Sequence, residues 1–106
     1  MNFTETKLAE GLWCFEQQGV RSFLLSGEAR PLIIDACFGG DLAALCRERG
    51  GEPARLALTH GDRDHVGCMD QFEEVYMHPA QYAHFVAKNG REPAARPLWE
   101  GDRLQA

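Results

Sequence analysis

The sequence lacks the features that mark secreted, membrane and nucleic-acid-binding proteins. No apolar run approaches the length needed to cross a bilayer, and the first residues lack the cationic-then-apolar order of a secretory signal. The formal net charge is −5 and no basic stripe is visible, which argues against a nucleic-acid backbone as a partner. We therefore predict a cytoplasmic protein with neither a membrane nor a nucleic acid among its partners.

The chain also lacks a C-x-x-C pair. Its four cysteines, Cys14, Cys37, Cys46 and Cys68, are scattered, and in a reducing compartment we expect buried small side chains or idle thiols rather than disulfides. Cys68 follows His65 by three residues and could lie near a site there. We expect it to pack inward from a short helix instead.

The length and composition suit one domain. With 106 residues and 44% hydrophobic content, the chain can bury a core of modest size but cannot form two domains, so we treat 1–106 as a single unit. In the first third, runs rich in Phe, Leu, Val and Ile are separated by glycines, which predicts an antiparallel meander. The predicted strands are 3–9, 12–17, 20–26 and 32–36.

From residue 39 onward the pattern indicates strands that alternate with helices. Asp41 is a plausible N-cap for a helix over 42–49, which Gly50 and Gly51 would end. Pro79 is expected to open a further helix that ends near residue 89. The remaining predicted elements are strands at 55–59 and 75–77, a helical turn at 68–72, a loop at 91–96, and a strand and turn at 97–104.

The most informative segment is Thr59-His60-Gly61-Asp62-Arg63-Asp64-His65-Val66-Gly67. Four potential metal ligands, His60, Asp62, Asp64 and His65, lie within six positions directly after an apolar strand. Mixed nitrogen and oxygen donors suit a divalent cation. In a locally extended loop, His60, Asp62 and Asp64 would share one side, with His65 turned back by a following helix, so one loop could serve one or two ions. The predicted chemistry is metal-assisted hydrolysis, because a bound ion lowers the pKa of water to about 7.

Other readings of the loop are available. Its histidines could be ordinary polar residues, and Asp62 or Asp64 could cap the next helix. Under the metal hypothesis, Gly61 and Gly67 would let the loop approach the ions closely, and Arg63 would point outward to solvent or to a carboxylate.

Two residues outside the loop are candidates for supporting it. Asp35 follows an apolar strand, which should place it at the same end of the sheet, where it could hydrogen-bond a ligand histidine or the loop backbone, or simply form a turn. His78 also follows a strand and could approach the site, although a structural role at the start of a helix is the more common one. We expect His84 to be a surface or partly buried helix residue.

The segment T-H-x-D-x-D-H-x-G resembles the signature loop T-H-x-H-x-D-H-x-G of the metallo-β-lactamase fold superfamily. The resemblance implies that His60 binds a first metal, that Asp64 and His65 bind a second, and that Asp64 also acts catalytically by orienting the attacking water. Asp62 stands where the family usually has its second histidine. This harder donor shifts the preference from zinc toward iron or manganese, and an acidic residue there also resembles the flavodiiron branch.

The resemblance extends over nearly the whole chain, including residues 23–25, 32–35 and 98–104. It implies an α/β (α+β) fold, the N-terminal half of an αββα sandwich, in which a mixed sheet is flanked by helices. The remaining metal ligands of the family come from its C-terminal half. A half-sandwich would expose an apolar sheet face, so we expect a complementary C-terminal half or a second copy to cover it.

The implied function is a metal-dependent hydrolase that acts on an ester, thioester, lactone, amide or phosphodiester bond of a small-molecule substrate. The cofactor would be one or two divalent ions, zinc or else iron or manganese. Two alternatives stay open, a non-catalytic half-domain that works as an interaction module or subunit, and a diiron redox protein.

Overall fold

In the part of the chain that the structure describes, seven strands form one mixed sheet, and they lie in it in chain order. The structure is a computed structural model and describes residues 2–106. Strands β1 to β4 pair in antiparallel fashion, whereas β4 to β7 run parallel. The predicted meander followed by alternating strands and helices is therefore confirmed. The strands are β1 (Thr4–Ala9), β2 (Leu12–Gln17), β3 (Val20–Leu25), β4 (Leu32–Ile34), β5 (Arg55–Leu58), β6 (Val75–Met77) and β7 (Arg96–Pro97).

Helices connect the parallel strands, as parallel pairing requires a crossover. They are α1 (Leu42–Gly50), α2 (Arg63–Val66) and α3 (Tyr82–Asn89), with single 3-10 turns at Met69–Gln71 and Pro79–Gln81. The predicted cap of α1 is confirmed, because the Asp41 side chain accepts a hydrogen bond from the backbone N–H of Ala44. Gly51 ends α1 in the left-handed conformation, with φ of 82°.

The core lies between the helices and one face of the sheet. Leu24, Ile33, Leu56 and Val75 are paired across neighbouring strands and are all buried. The same cluster contains the helix side chains Leu42, Leu45, Cys46, Val66 and Phe85. Every second side chain of these strands thus points to the same face of the sheet, where it packs against the apolar side of the helices.

The opposite face of the sheet, which we call the outer face, is apolar but only partly covered. Phe23, Ile34, Ala57 and Tyr76 form a cross-strand row on it, are half-buried, and are absent from the core cluster. The end of the chain reaches the rim of this face, where the Arg55 guanidinium donates to the Gln105 carbonyl. The outer face corresponds to the apolar surface expected of a half-sandwich.

All four cysteines are buried and free, as expected. The thiol of Cys68 faces inward and donates to the Gly40 carbonyl over 3.5 Å, and burial raises the pKa of this thiol. Within residues 2–106, no helix is both long enough and apolar enough to cross a membrane. The cytoplasmic location stays a prediction.

Candidate metal centre

The candidate site forms where β4 and β5 end side by side. Asp35 directly follows β4 and Thr59 directly follows β5, so parallel pairing brings both residues to the same edge of the sheet. Asp35 has a φ of 67°, a left-handed conformation that aspartate and asparagine tolerate better than most residues. This turn directs the chain away from the sheet while the carboxylate stays beside the end of β5.

The Asp35 carboxylate is the hub of the site. Its Oδ1 accepts from the backbone N–H of Thr59 at 2.8 Å, and its Oδ2 accepts from the Thr59 hydroxyl at 2.6 Å. The same Oδ2 lies 3.0 Å from Nδ1 of His65. Asp35 is only 6% exposed, so these donors compensate for the loss of water around a buried charge.

This hub determines which nitrogen of each imidazole carries the proton. A carboxylate only accepts, so Nδ1 of His65 is the donor toward Asp35 and its Nε2 keeps a free lone pair. The Thr59 hydroxyl already donates to Asp35, so it accepts from Nδ1 of His60, 2.8 Å away. In the neutral form of each histidine the lone pair is therefore on Nε2, and the two ring centroids lie 3.8 Å apart.

Asp64 adds a third acceptor beside this pair. Its Oδ2 lies 3.6 Å from Nε2 of His65, beyond the length of a hydrogen bond, and the side chain is 37% exposed. The prediction that Asp64 continues an extended loop is wrong, because α2 begins at Arg63. The helical turn, rather than strand-like alternation, places Asp64 next to His65.

Backbone hydrogen bonds dock α2 against the residues that follow β4. The N–H of Ala36 donates to the His65 carbonyl, and the N–H of Gly67 donates to the Cys37 carbonyl, both at 2.7 Å. A Cβ on Gly67 would lie 1.9 Å from the Phe38 carbonyl oxygen. The expectation that Gly67 makes room for an ion is thus corrected, since it makes room for neighbouring backbone.

Asp62 turns toward α3 rather than toward the two imidazoles. Its Oδ1 lies 2.6 Å from Nε2 of His84, and this hydrogen bond lowers the pKa of the Asp62 carboxyl. Asp62 occupies the N-cap position of α2, yet its side chain makes no capping hydrogen bond. Sequence reasoning missed His84 at the site; its place next to Phe85 indicated a helix residue but not which loop the helix contacts.

Arg63 and Gly61 also contact α3. The Arg63 side chain is exposed, as expected, and its Nε donates to the Lys88 carbonyl at 3.1 Å. A Cβ on Gly61 would lie 2.8 Å from Cα of Phe85. Gly61 therefore allows the helix, and not an ion, to approach the loop.

His78 is engaged elsewhere. Its Nδ1 accepts from the backbone N–H of Ala80 at 3.0 Å, and its Nε2 lies 2.6 Å from the Glu100 carboxylate. Trp99 packs edge-on against its ring. In the described part of the chain no hydrogen bond joins His78 to residues 59–67. The observed contacts of His78 are those of a residue at the start of a helix.

The donor chemistry fits part of a metal site. Within residues 2–106 no group of three or more His, Cys, Asp or Glu side chains is arranged to hold an ion. Nε2 of His65 and Oδ2 of Asp64 nevertheless lie 3.6 Å apart, and two acceptors this close repel each other unless a cation or proton compensates them. Beside them lies a groove with a volume of about 570 Å³, lined by Phe38, Asp62, Arg63, Asp64, Ala87 and Lys88.

Comparison with known proteins supports the fold. No protein-family model matches the sequence, and no curated protein matches it significantly. Among solved structures, a metallo-beta-lactamase from Hirschia baltica matches over 100% of this chain and 56% of its own, with a TM-score of 0.77 and 15% identity. One from Pontibacter korlensis matches over 99% and 56%, with a TM-score of 0.74 and 17% identity.

A third match is the metallo-beta-lactamase from Pseudomonas aeruginosa in its mono-zinc form. It aligns with 95% of this chain and 53% of its own length, with a TM-score of 0.72 and 13% identity. The chain thus spans about half the length of the solved structures that it matches. It has the fold of the N-terminal half of a metallo-beta-lactamase.

Proposed function

We propose that the chain supplies half of the active site of a metal-dependent hydrolase. The scissile bond belongs to the class formed by esters, thioesters, lactones, amides and phosphodiesters, in a small-molecule substrate. His60, Asp64 and His65 would hold a divalent ion together with ligands from a complementary half, and Asp62 would be a further oxygen ligand. Zinc is the first choice, and iron or manganese are alternatives because Asp62 provides oxygen where a histidine would provide nitrogen.

One observation carries this proposal, the hydrogen-bond chain that begins at buried Asp35. Asp35 holds the proton on Nδ1 of His65 directly, and it holds the proton on Nδ1 of His60 through the Thr59 hydroxyl. A carboxylate that fixes the tautomer and orientation of a ligand imidazole is a recurrent part of metal sites. The two imidazoles whose Nδ1 protons are held in this way also lie close together, with ring centroids 3.8 Å apart.

The residues of this chain have separable tasks in hydrolysis. A divalent ion bound here would make water nucleophilic near neutral pH. Asp64, partly exposed at the groove, accepts a hydrogen bond from the attacking water at its carboxylate and so orients it. Asp35 stays behind the imidazoles and maintains their orientation as charge develops at the site.

The proposal includes a partner for the outer face. The half-buried row Phe23, Ile34, Ala57 and Tyr76 is apolar enough to pack against a second sheet. A complementary C-terminal half, or a second copy of this chain, would bury it and bring the remaining ligands to the site. The same surface underlies the non-catalytic alternative, in which the chain is a subunit that binds through this face and hydrolyses nothing.

Metal content and hydrolysis test the proposal together. Protein purified without chelator is analysed for zinc, iron and manganese, and is assayed against activated ester, thioester and phosphodiester substrates, with Asp64→Asn and His65→Ala alongside. Asp70→Asn is the matched control, because Asp70 is exposed and its side chain is paired with Arg91 rather than with the site. We expect metal uptake that falls in both site variants and hydrolysis that Asp64→Asn abolishes. Absence of metal and of turnover in the wild-type chain, alone and with a complementary half, would refute the proposal.

A further inference from the structure

We propose that α3 positions loop residues 61–63, and that His84 fixes the Asp62 carboxylate so that a single oxygen atom remains for a ligand. The nitrogen measurement below is independent of the proposed function, whereas the zinc measurement rests on it.

The residue before Asp62 is held on both sides by α3 and the turn that precedes it. The N–H of Gly61 donates to the Gln81 side chain at 3.2 Å, and the Gly61 carbonyl accepts from Nδ2 of Asn89 at 2.9 Å. Between these bonds the Gly61 backbone lies against Phe85, with no room for a Cβ. One peptide segment of the loop is thus fixed by polar contacts and by close packing.

The next two residues of the loop contact the same helix. Asp62 lies 2.6 Å from His84, and Nε of Arg63 donates to the Lys88 carbonyl at 3.1 Å. Within α3, the contacting positions 84 and 85 are followed by 88 and 89 one turn later, so they lie on one side of the helix. Residues 61–63 are therefore held by one side of α3 together with the turn that precedes it.

The His84 contact limits what Asp62 can do. When Nε2–H of His84 donates to Oδ1, that nitrogen has no lone pair for a metal, and Oδ2 is the carboxylate oxygen without this partner. Both side chains are 42% exposed, and an exposed ion pair adds little to folding stability. Removing His84 should therefore release Asp62 without unfolding the chain, which separates positioning from a structural role.

Nitrogen NMR of labelled imidazole rings tests the contact in metal-free protein. We expect Nε2 of His84 to carry a hydrogen whose shift changes in Asp62→Ala and stays the same in Asp64→Ala. A His84 Nε2 without hydrogen in the wild-type chain, or one indifferent to Asp62→Ala, would overturn the inference.

Zinc affinity in a double-mutant cycle tests the consequence. His84→Ala should weaken zinc binding by about 10–100-fold, and should have no further effect in the Asp62→Ala background. His84→Gln, which keeps an N–H donor at the end of the side chain, should restore most of the affinity. His78→Ala is the matched control and should change nothing.

The outcomes of the cycle are distinguishable. If His84→Ala weakens binding equally when Asp62 is already alanine, His84 is itself a ligand and the inference fails. If His84→Ala leaves the affinity unchanged, the positioning role fails while the proposed function survives. If the wild-type chain binds no zinc, the cycle cannot be measured and the NMR result alone decides whether His84 fixes Asp62; the proposed function is refuted separately, by the absence of any metal and of turnover alone and with a complementary half.

Discussion

Replacing the buried hub by its isosteric amide is the sharpest test of the site. Asp35→Asn keeps the size of the side chain and tolerates the left-handed backbone at this position. The amide, however, has one accepting oxygen where the carboxylate has two. In one orientation the amide oxygen accepts from the Thr59 hydroxyl and from His65, and the amide nitrogen then faces the Thr59 N–H. In the other orientation the oxygen accepts from the Thr59 N–H, and the nitrogen faces the hydroxyl and His65.

The cost follows from this mismatch. One buried donor left unsatisfied costs about 1–3 kcal/mol, and two bonds that lose a charged acceptor each weaken by about 1 kcal/mol. We therefore expect Asp35→Asn to lower the free energy of unfolding by about 3–5 kcal/mol. Zinc affinity should also fall by about 10–100-fold, because the His60 and His65 tautomers are no longer held by a carboxylate.

Urea unfolding followed by far-UV circular dichroism measures the first quantity, with an unchanged m-value as the sign of a simple stability effect. Asp41→Asn is the control, because Asp41 is an exposed helix cap and asparagine caps as well as aspartate does. An Asp35→Asn variant within about 0.5 kcal/mol of the wild-type chain and with the same zinc affinity would show that Asp35 is not the hub described.

Three further predictions follow from single residues. Gly67→Ala should lower the free energy of unfolding by at least about 3 kcal/mol or prevent folding, because the new Cβ would lie 1.9 Å from the Phe38 carbonyl oxygen. Gly90→Ala is the control: its φ of 71° is strained for alanine but the position is in open space, so the loss in the same urea assay should be only about 1 kcal/mol. Thr59→Val should lower the free energy of unfolding by about 1–2 kcal/mol and weaken zinc binding, because it removes the hydroxyl that links the Asp35 carboxylate to the His60 imidazole. Unchanged zinc affinity would contradict this chain of hydrogen bonds. Burial raises the pKa of Cys46 to about 12, so the native thiol should resist alkylation at pH 8.5, and rapid alkylation of the native protein would refute this. The contribution of the buried neutral thiol to stability should be complete below the unfolded pKa near 9 and should be lost as pH rises toward 12.

The sequence carries much of the fold because the relevant signals are local. Strand alternation, glycine turns and the Asp41 cap predict β1 to β6 and α1 to within a few residues. The start of α2 could not be predicted in this way, because a helix of four residues has no periodicity to read.

The contacts of the site were less accessible to sequence reasoning. The ligand-type residues are evident from their spacing, but the partner of Asp62 comes from a helix 22 residues later in the chain. The two loop glycines are explained only by tertiary packing, against Phe85 for Gly61 and against Phe38 for Gly67. Such close approaches leave no local pattern, since any glycine is compatible with a turn in the sequence.

The order of the strands has a consequence for assembly. Each strand pairs with the strand that precedes it in the chain, so the sheet can grow by short loop closures as the polypeptide leaves the ribosome. No strand of this sheet has to wait for a distant segment, and the histidine loop is fixed between strands that are already paired. If the proposed function is right, this strand order lets the first sheet form before a second half docks on it, and mixing separately expressed halves would test that order of assembly.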